Sequence, residues 1–142
     1  MTIPYRIRIA SWQTDRKSLR AIREAVFVDE QKVPVELEWD EEDVRCVHVL
    51  AEASNGAAIG TGRLLPDGHV GRMAVLQPWR RRGVGSALLV HLVDLAKRSG
   101  RKVLRLHAQS YVADFYRRHG FIVEGEEFME AGIPHRYMTR IL

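Results

Sequence analysis

Two turn signals divide residues 47–76 into three consecutive strands, and no other feature of the sequence constrains the fold as strongly. An Asn-Gly pair at 55–56 lies between two β-rich runs, which is typical of a tight antiparallel hairpin. A Pro-Asp-Gly turn at 66–68 then separates the second run from a third. A meander of this kind buries one face only when another layer covers it, so we expect helices to pack on the sheet.

Further elements are predicted on both sides of the meander. Alternating residues 3–9 indicate a strand, and apolar residues at helical spacing indicate a helix that begins at Thr14 or Asp15 and runs to about Glu30. Residues 34–46 are acidic and non-periodic, so we expect a loop. The later predictions are a helix from 84 to a cap at Gly100, a strand over 103–108, a short helix over 111–119, and strands over 121–123 and 137–141 with Gly132-Ile133-Pro134 between them.

This order of elements predicts one domain over residues 1–142, of the mixed α/β (α+β) class. The length of 142 residues and the hydrophobic content of 46% suit a single core of ordinary size. No apolar run reaches the roughly 18 residues of a membrane span, and the N-terminus lacks the pattern of a signal peptide. The single cysteine, Cys46, excludes an internal disulfide and a zinc site made of several thiolates. We therefore expect a soluble cytoplasmic protein with no membrane partner and no metal.

A candidate phosphate-binding turn follows the third strand of the meander. Three arginines at 80–82 precede Gly83 and Gly85, and a helix begins at the same place. Glycines let backbone N–H groups approach an anion closely, and a helix N-terminus adds unpaired donors and the positive end of its dipole. A basic turn before a helix is also typical of a solvated cap, and the standard mononucleotide and dinucleotide motifs are absent. The turn alone leaves both interpretations open.

Together with a second motif, this turn resembles the GNAT superfamily of acetyl-CoA-dependent N-acyltransferases. Residues 80–85, Arg-Arg-Arg-Gly-Val-Gly, match the family's R-x-x-G-x-G motif, although Arg81 stands where glycine is frequent. Residues 114–121 contain the family's F-Y-x-x-x-G-F segment in the expected order. The similarity extends from about Ile3 to the end of the chain, so it covers the whole predicted domain.

The resemblance implies a donor site for acetyl-CoA, used as co-substrate. The fold would be a mostly antiparallel sheet of six to seven strands flanked by helices, with a splayed V between the fourth strand, 70–76, and the fifth, 103–108. The pantetheine arm would insert into this V, and the pyrophosphate would lie at the arginine turn. The residues expected to contact the pantetheine arm are Met73, Ala74, Val75 and Gln109, and those expected to hold the pyrophosphate are Arg80, Arg81, Arg82, Gly83, Val84, Gly85 and Ser86.

The same resemblance implies direct attack of a primary amine on the acetyl thioester while both substrates are bound. Tyr116 occupies the family's position for the acid that protonates the leaving thiolate beside the cofactor. The alternative is an aromatic side chain that packs the short helix on the sheet. The amine must lose a proton before it attacks, because an alkylamine is mostly ammonium at neutral pH. Glu30 and His48 are the catalytic residues expected for that step, with His107 and His135 as further candidates.

A finer similarity to the ElaA-like subgroup of GNAT proteins concerns the acceptor side. It rests on the R-x-x-V-F-V-x-E-Q segment at 23–31 and the Gly-Ile-Pro-His segment at 132–135. In that subgroup the first segment lines the acceptor site. The residues expected to bind the acceptor are therefore Glu30, Gln31, His48 and His135, whereas His69, His91 and His119 have ordinary structural explanations.

The charge distribution bears on the acceptor and on other partners. Acidic residues dominate 24–43, where Lys32 is the only basic residue, and Lys and Arg dominate 71–119. An acidic rim after the first helix would concentrate a cationic amine, but such a run is equally typical of a solvated loop. The basic region lacks interleaved aromatic residues and any recognisable nucleic-acid-binding motif, so we expect no nucleic-acid partner.

Two other functions stay open at this point. One is an acyltransferase that uses a longer acyl donor, and the other is a non-catalytic module that senses acyl-CoA or binds a partner. The sequence does not identify the acceptor amine. A homodimer agrees with the resemblance, although no segment of the sequence indicates an interface.

Overall fold

The computed structural model describes residues 4–38 and 40–142, without the side chain of Leu37. Ile3, the first residue of the predicted N-terminal strand, lies outside the described residues. The main elements follow the predicted order. The strands are β1 (Tyr5–Ala10), β2 (Val47–Ala53), β3 (Ala58–Leu64), β4 (Val70–Val75), β5 (Val103–Gln109), β6 (Ile122–Glu130) and β7 (Ile133–Ile141), and the helices are α1 (Trp12–Arg23), α2 (Val35–Glu38), α3 (Val84–Arg98) and α4 (Ala113–Arg117).

The strands form two antiparallel sheets, one with the order β1-β2-β3-β4 and one with the order β5-β7-β6. At the junction, β4 and β5 meet through one parallel bridge between His69 and Arg105, where the Arg105 N–H donates to the Gly68 carbonyl at 3.0 Å. Within the described residues no other bridge joins the two sheets, so they diverge toward Val75 and Gln109. The mixed α/β fold and the V between the fourth and fifth strands are therefore confirmed.

An apolar cluster beneath α3 holds the two sheets together. Leu88, Leu89 and Leu92 of α3 are fully buried. They lie in one cluster with residues of both sheets, including Val49, Ile59, Leu104, Leu106 and Met138. Burial of one such leucine stabilises the fold by roughly 1.5–3 kcal/mol relative to an exposed side chain. Because few backbone bonds cross the junction, this cluster maintains the width of the V.

Helix α1 covers the opposite face of the four-stranded sheet. Leu19 and Ile22 are buried in a second cluster with Leu50 of β2 and Ala74 of β4. Val49, which precedes Leu50, belongs to the cluster beneath α3 instead, because successive side chains of a strand point to opposite faces. The four-stranded sheet is thus the middle layer of three.

The start of α1 differs from the prediction, because Ser11 rather than Thr14 or Asp15 is the N-cap. The Ser11 hydroxyl accepts a hydrogen bond from the Gln13 N–H at 3.2 Å, and the Asp15 carboxylate accepts one from the Ser11 N–H at 2.8 Å. The two side chains satisfy donors that the first helical turn leaves free. After Arg23 the chain continues as a π-helical segment, Glu24–Glu30, so the predicted end near Glu30 is correct.

Two connections are more ordered than predicted. Residues 34–46 contain α2 and a 3₁₀ turn over Glu41–Arg45 instead of a plain loop. The last two strands are longer than 121–123 and 137–141, and Ile133 and Pro134 belong to β7 rather than to a connection. Ala131 and Gly132 make the hairpin turn with φ values of 53° and 75°, and positive φ at both central residues is typical of the tightest hairpins.

Candidate active site

A bulge shapes the edge of β4 that faces the V. The register with β3 shifts between Thr61 and Arg63, and Arg72 adopts a left-handed φ of 50°. Such a bulge bends the strand and increases its local twist. Beyond it, residues 73–75 pair with β3 on one side, while β5 has already diverged on the other. The backbone groups on the open edge of residues 73–75 therefore face the V.

The N-terminus of α3 lies just past the end of β4. Gly83 is its N-cap with φ of 82°, and Arg81 also has a left-handed φ, of 62°. The first bond of the helix runs from the Ala87 N–H to the Gly83 carbonyl at 3.0 Å. The N–H groups of residues 84–86 therefore precede the helix's own hydrogen-bond ladder. Together with the positive end of the helix dipole, they form a site suited to an anion.

Two of the three arginines of the turn contact different neighbours. The guanidinium of Arg82 lies 5.3 Å from the ring centroid of Trp79. Arg80 donates from its two terminal nitrogens to the Glu30 carboxylate at 2.8 and 2.6 Å, and from Nε to the Val75 carbonyl at 2.9 Å. The hydrogen bonds to Glu30 raise the pKa of Arg80 above its ordinary value. Arg80 thus links the turn before α3 to the predicted acceptor side.

Helix α4 places Tyr116 in the core beside the V. Its side chain is 8% exposed, and its ring makes edge contacts with Phe115 and Phe121, at centroid distances of 5.0 and 5.9 Å. Burial raises the pKa of the Tyr116 phenol well above its ordinary value near 10. Tyr116 is therefore both a packed aromatic residue and a hydroxyl that stays protonated at neutral pH.

His119 is a residue of this region that the sequence analysis missed. It follows α4, and its Nε2 lies 3.1 Å from the Ser86 hydroxyl in the first turn of α3. Burial, followed by the nearby charges of Arg140 and Arg118, lowers the pKa of His119. In the sequence, a histidine at the end of a helix has an ordinary structural explanation, so His119 was not predicted to belong to the site. No short-range sequence pattern indicates its contact with Ser86.

A hydrogen bond between two glutamines joins the end of β5 to the end of the π-helical segment. The side-chain amide of Gln109, at the end of β5, donates to the side-chain oxygen of Gln31 at 2.7 Å. Gln31 directly follows Glu30, which holds Arg80. His135 lies opposite Gln109 in the register of β5 and β7. The structure thus brings Glu30, Gln31 and His135 to the mouth of the V.

His48 has different surroundings. Its Nε2 donates to the Asp43 carbonyl at 2.8 Å, its ring stacks on Trp12 at 5.1 Å, and its side chain is buried. Burial lowers the pKa of His48 below its ordinary value near 6.5. These contacts join β2 to α1 and to the acidic segment, and neither of them reaches Gln31, Gln109 or His135.

Much of the acidic segment is neutralised inside the protein. Arg23 donates to Glu38 and Asp43 at 2.8 Å each, and Arg63 donates to Asp40 and Asp43 at the same distance. Arg72 reaches the Glu38 and Asp40 carboxylates at 3.3 Å. We call these six residues the arginine–carboxylate cluster: Arg23, Glu38, Asp40, Asp43, Arg63 and Arg72.

Two carboxyl groups of the cluster have pKa values that are shifted in opposite directions. Hydrogen bonds from Arg63 lower the pKa of Asp40 to about 2, whereas burial raises the pKa of Glu38. Glu38, Asp43 and Arg23 are almost completely buried. Glu38, Asp40 and Asp43 are therefore counter-ions of arginines, the first and last of them buried, which corrects the interpretation of these three residues as a rim for a cationic substrate.

The described part of the chain has neither a cluster suited to a metal ion nor a helix suited to a membrane span. No group of three or more His, Cys, Asp or Glu residues there is arranged to hold a metal ion. No helix in residues 4–38 and 40–142 has the length and apolar character needed to cross a membrane.

Known proteins resemble this chain in sequence and in fold. The acetyltransferase (GNAT) domain family matches residues 16–142. An N-acetyltransferase of Bacillus subtilis called YjcF, itself described as uncharacterized, is 36% identical over 136 residues, which cover 93% of this chain and 96% of YjcF. The crystal structure of Escherichia coli ElaA covers 98% of this chain and 99% of its own at 28% identity, with a TM-score of 0.83. An acyl-CoA N-acyltransferase of Pseudomonas aeruginosa gives the same coverage at 27% identity and a TM-score of 0.84.

Proposed function

Because the chain belongs to the GNAT acetyltransferase family and is therefore an acyltransferase, we propose that it transfers the acetyl group of acetyl-CoA to a primary amine. The acceptor would be a small molecule or a peptide. The observation that carries the proposal is the V between β4 and β5, with the free amides of α3 at its wide end. A long, narrow donor with an anionic diphosphate matches a cleft that ends at an anion-binding helix N-terminus.

In this proposal the donor runs from the V to the start of α3. The backbone of Met73, Ala74 and Val75 pairs with the pantetheine amides, and Gln109 contacts the same arm from β5. The pyrophosphate binds the amides of residues 83–86 and the side chains of Arg80, Arg81 and Arg82. The left-handed φ of Gly83 supports this arrangement, because a side chain there would both strain the backbone and stand where the diphosphate approaches.

The proposed reaction is direct attack in a ternary complex. The amine nitrogen forms a bond to the thioester carbon, the C–S bond breaks, and the sulfur takes a proton from the Tyr116 hydroxyl. A phenol kept protonated by burial suits this role, because it holds its proton until a thiolate forms beside it. The attacking amine gives up its own proton to a base on the acceptor side.

The acceptor site in this proposal lies at the mouth of the V. Glu30, Gln31 and His135 contact the incoming amine, since Gln31 and His135 both adjoin Gln109. Protonation of Glu30 would weaken its ion pair with Arg80, so we propose that it binds the acceptor rather than accepting the proton. For His48 we propose a supporting role, because its ring and Nε2 are engaged by Trp12 and Asp43.

Calorimetric titration with acetyl-CoA, followed by measurement of thiol release over an amine panel, tests the proposal. The panel should include a polyamine, an aminoglycoside and a lysine peptide. Binding at one site per chain with amine-dependent thiol release is expected. Binding without release from any amine would instead indicate an acyl-CoA sensor, and displacement of acetyl-CoA by octanoyl-CoA would indicate a longer donor. A folded sample that binds no acetyl-CoA contradicts the proposal.

A further inference from the structure

Two histidines share one carboxylate on the open face of the three-stranded sheet. The Glu130 carboxylate lies 2.9 Å from His107 Nδ1 through one oxygen and 3.5 Å from His135 Nε2 through the other. Glu130 ends β6, His107 lies in β5, and His135 is the third residue of β7. The roles proposed above for donor and acceptor binding do not use Glu130 or His107.

The hydrogen bonds define which nitrogen of His107 can accept a proton. A carboxylate only accepts hydrogen bonds, so His107 Nδ1 must carry the hydrogen that it shares with Glu130. The neutral ring then has its lone pair on Nε2. The His107 side chain is about 41% exposed, so a substrate or a water molecule can reach this face.

His107 also lies close to the mouth of the V. It is two residues before Gln109 on β5, so both side chains are on the same face and about 7 Å apart along the strand. Gln109 holds Gln31 across the V. On its other side, the His107 ring meets the ring of His69 at 5.9 Å, and His69 forms the bridge between the two sheets. His107 therefore lies on β5 between the junction of the sheets and Gln109.

Most of the groups that surround the His107 ring are aromatic, and Glu130 is the carboxylate that contacts it. From β6 and β7, the rings of Phe128 and Tyr137 contact it at 5.2 and 5.8 Å. From the β3–β4 connection comes His69, whose Nδ1 lies 3.0 Å from the Asp67 carboxylate. Arg105 lies two residues earlier on the same face of β5. The His107 ring is therefore surrounded by other rings, and one carboxylate, that of Glu130, bonds to its Nδ1.

We propose that His107 is the general base of the reaction and that Glu130 is the positioning residue that orients it. This inference rests on the proposed function. The amine's proton passes to His107 Nε2, directly or through one water molecule, as the nitrogen lone pair forms the bond to the thioester carbon. The C–S bond breaks, the sulfur receives the Tyr116 proton, and the second proton that the nitrogen loses on becoming an amide returns to the Tyr116 oxygen, so protons and electron pairs balance. His135 holds the second oxygen of Glu130 and thereby fixes the carboxylate.

A kinetic comparison of variants tests the role of His107. His107→Gln should lower kcat by about 10² to 10⁴, which is the usual contribution of a general base, and leave the acetyl-CoA Kd nearly unchanged. The acidic limb of the kcat–pH profile should disappear, and added imidazole should restore part of the activity of His107→Gly. The control is Glu126→Gln, an exposed residue of β6, the strand that carries Glu130, and this variant should behave as the wild type. A wild-type pH profile in His107→Gln would overturn the proposal.

A measurement that needs no acceptor amine separates this inference from the proposed function. Nitrogen-15 spectra of the imidazoles should show neutral His107 with its hydrogen on Nδ1. Glu130→Gln, which keeps an acceptor without the charge, should preserve this tautomer, whereas Glu130→Ala should abolish the preference. A hydrogen on Nε2 in the wild-type protein would overturn the role of His107 even if acetyl-CoA binds and amines are acetylated. Failure to bind acetyl-CoA, with the expected tautomer present, would instead refute the proposed function.

Discussion

At the scale of single residues, Tyr116 combines packing and chemistry in one side chain. Its ring fills the core between Phe115 and Phe121, and only its hydroxyl distinguishes it from phenylalanine. Tyr116→Phe should therefore keep the fold and the acetyl-CoA Kd, and should lower kcat by about 10² or more, the usual value of a general acid. Steady-state thiol release and calorimetry measure the two quantities.

The exposed Tyr111 provides a matched control for this prediction. Tyr111→Phe removes a hydroxyl from the 3₁₀ turn that precedes α4, where the side chain is 74% exposed, and should leave kcat unchanged. If Tyr116→Phe also turns over at the wild-type rate, Tyr116 is only a packing residue.

The ion pair between Glu30 and Arg80 makes a second prediction at this scale. In the structure Glu30 holds the guanidinium that would otherwise be free for a diphosphate. Glu30→Gln should therefore tighten acetyl-CoA binding by up to about fivefold, which corresponds to the value of a partly exposed ion pair, while thiol release with an amine decreases. Calorimetry on Glu30→Gln and on Glu24→Gln, an exposed residue in the same π-helical segment, provides the comparison. Equal or weaker binding in Glu30→Gln would show that Arg80 does not move to the donor.

At the scale of elements, the two ends of α3 carry glycines with the same backbone conformation. Gly83 precedes the helix and Gly100 follows it, each with φ of 82°. Alanine at either position should cost about 1–2 kcal/mol of stability, because an L-residue is strained in the left-handed region. Only Gly83→Ala should also weaken acetyl-CoA binding, at least about tenfold, because one charge-assisted hydrogen bond contributes about 1.5–3 kcal/mol.

Gly100→Ala is the control that separates strain from binding. A Cβ at Gly100 meets no other atom within 4 Å, and the position lies at the opposite end of the helix. Urea unfolding gives the stability of both variants, and calorimetry gives their acetyl-CoA Kd. If the two variants bind acetyl-CoA equally well, the start of α3 does not hold the diphosphate.

The elements that sequence analysis predicted well are those with strong periodicity. The meander over 47–76 and helix α3 have regular apolar patterns and clear turn residues, so their bounds were predicted almost to the residue. The β6–β7 hairpin was predicted too short because β6 is a glutamate-rich edge strand without alternation. Its turn depends on a positive φ at Ala131, which is uncommon for alanine and has no signal in the sequence.

The candidate site was predictable only where residues lie close in sequence. Gly83 and Gly85 belong to one short motif, so the start of α3 could be identified directly. The partner of Arg80 is fifty residues earlier in the chain, and Glu130 contacts His107 across a strand of the sheet. Pairing over such distances follows from tertiary packing. For the same reason the acidic segment gave no sign that Arg23 and Arg63 neutralise it from the inside.

At the scale of the whole molecule, buried His48 predicts how stability depends on pH. Burial lowers the pKa of His48 in the folded protein, whereas the unfolded chain has the ordinary value near 6.5. Between the two values the unfolded chain binds a proton that the folded protein does not, so stability falls as the pH drops below about 6.5. One such group contributes up to about 1.4 kcal/mol per pH unit. His48→Gln should therefore flatten this dependence.

Urea unfolding between about pH 7.5 and about pH 5 measures this effect in the wild type and in His48→Gln. His91→Gln on α3 is the control, because it makes the same substitution at a different histidine. His119 acts in the same direction, because burial lowers its pKa too, so a smaller slope should persist in His48→Gln. Identical slopes in the wild type and in His48→Gln would contradict the prediction.

Within residues 4–38 and 40–142, one bridge between His69 and Arg105 links β4 to β5, and this affects how the protein responds to mutation. Every other pair of neighbouring strands is held in place along its length by a ladder, but β4 and β5 are positioned mainly by the side chains under α3. In the proposed reaction, the distance between the thioester and the amine would therefore depend on the volume of buried leucines under α3. A smaller side chain at Leu92 would let β4 and β5 move relative to each other, and would thereby change the proposed distance between the reactants. Core substitutions of this kind could alter the rate or the size of the acceptor while every residue that lines the V stays the same.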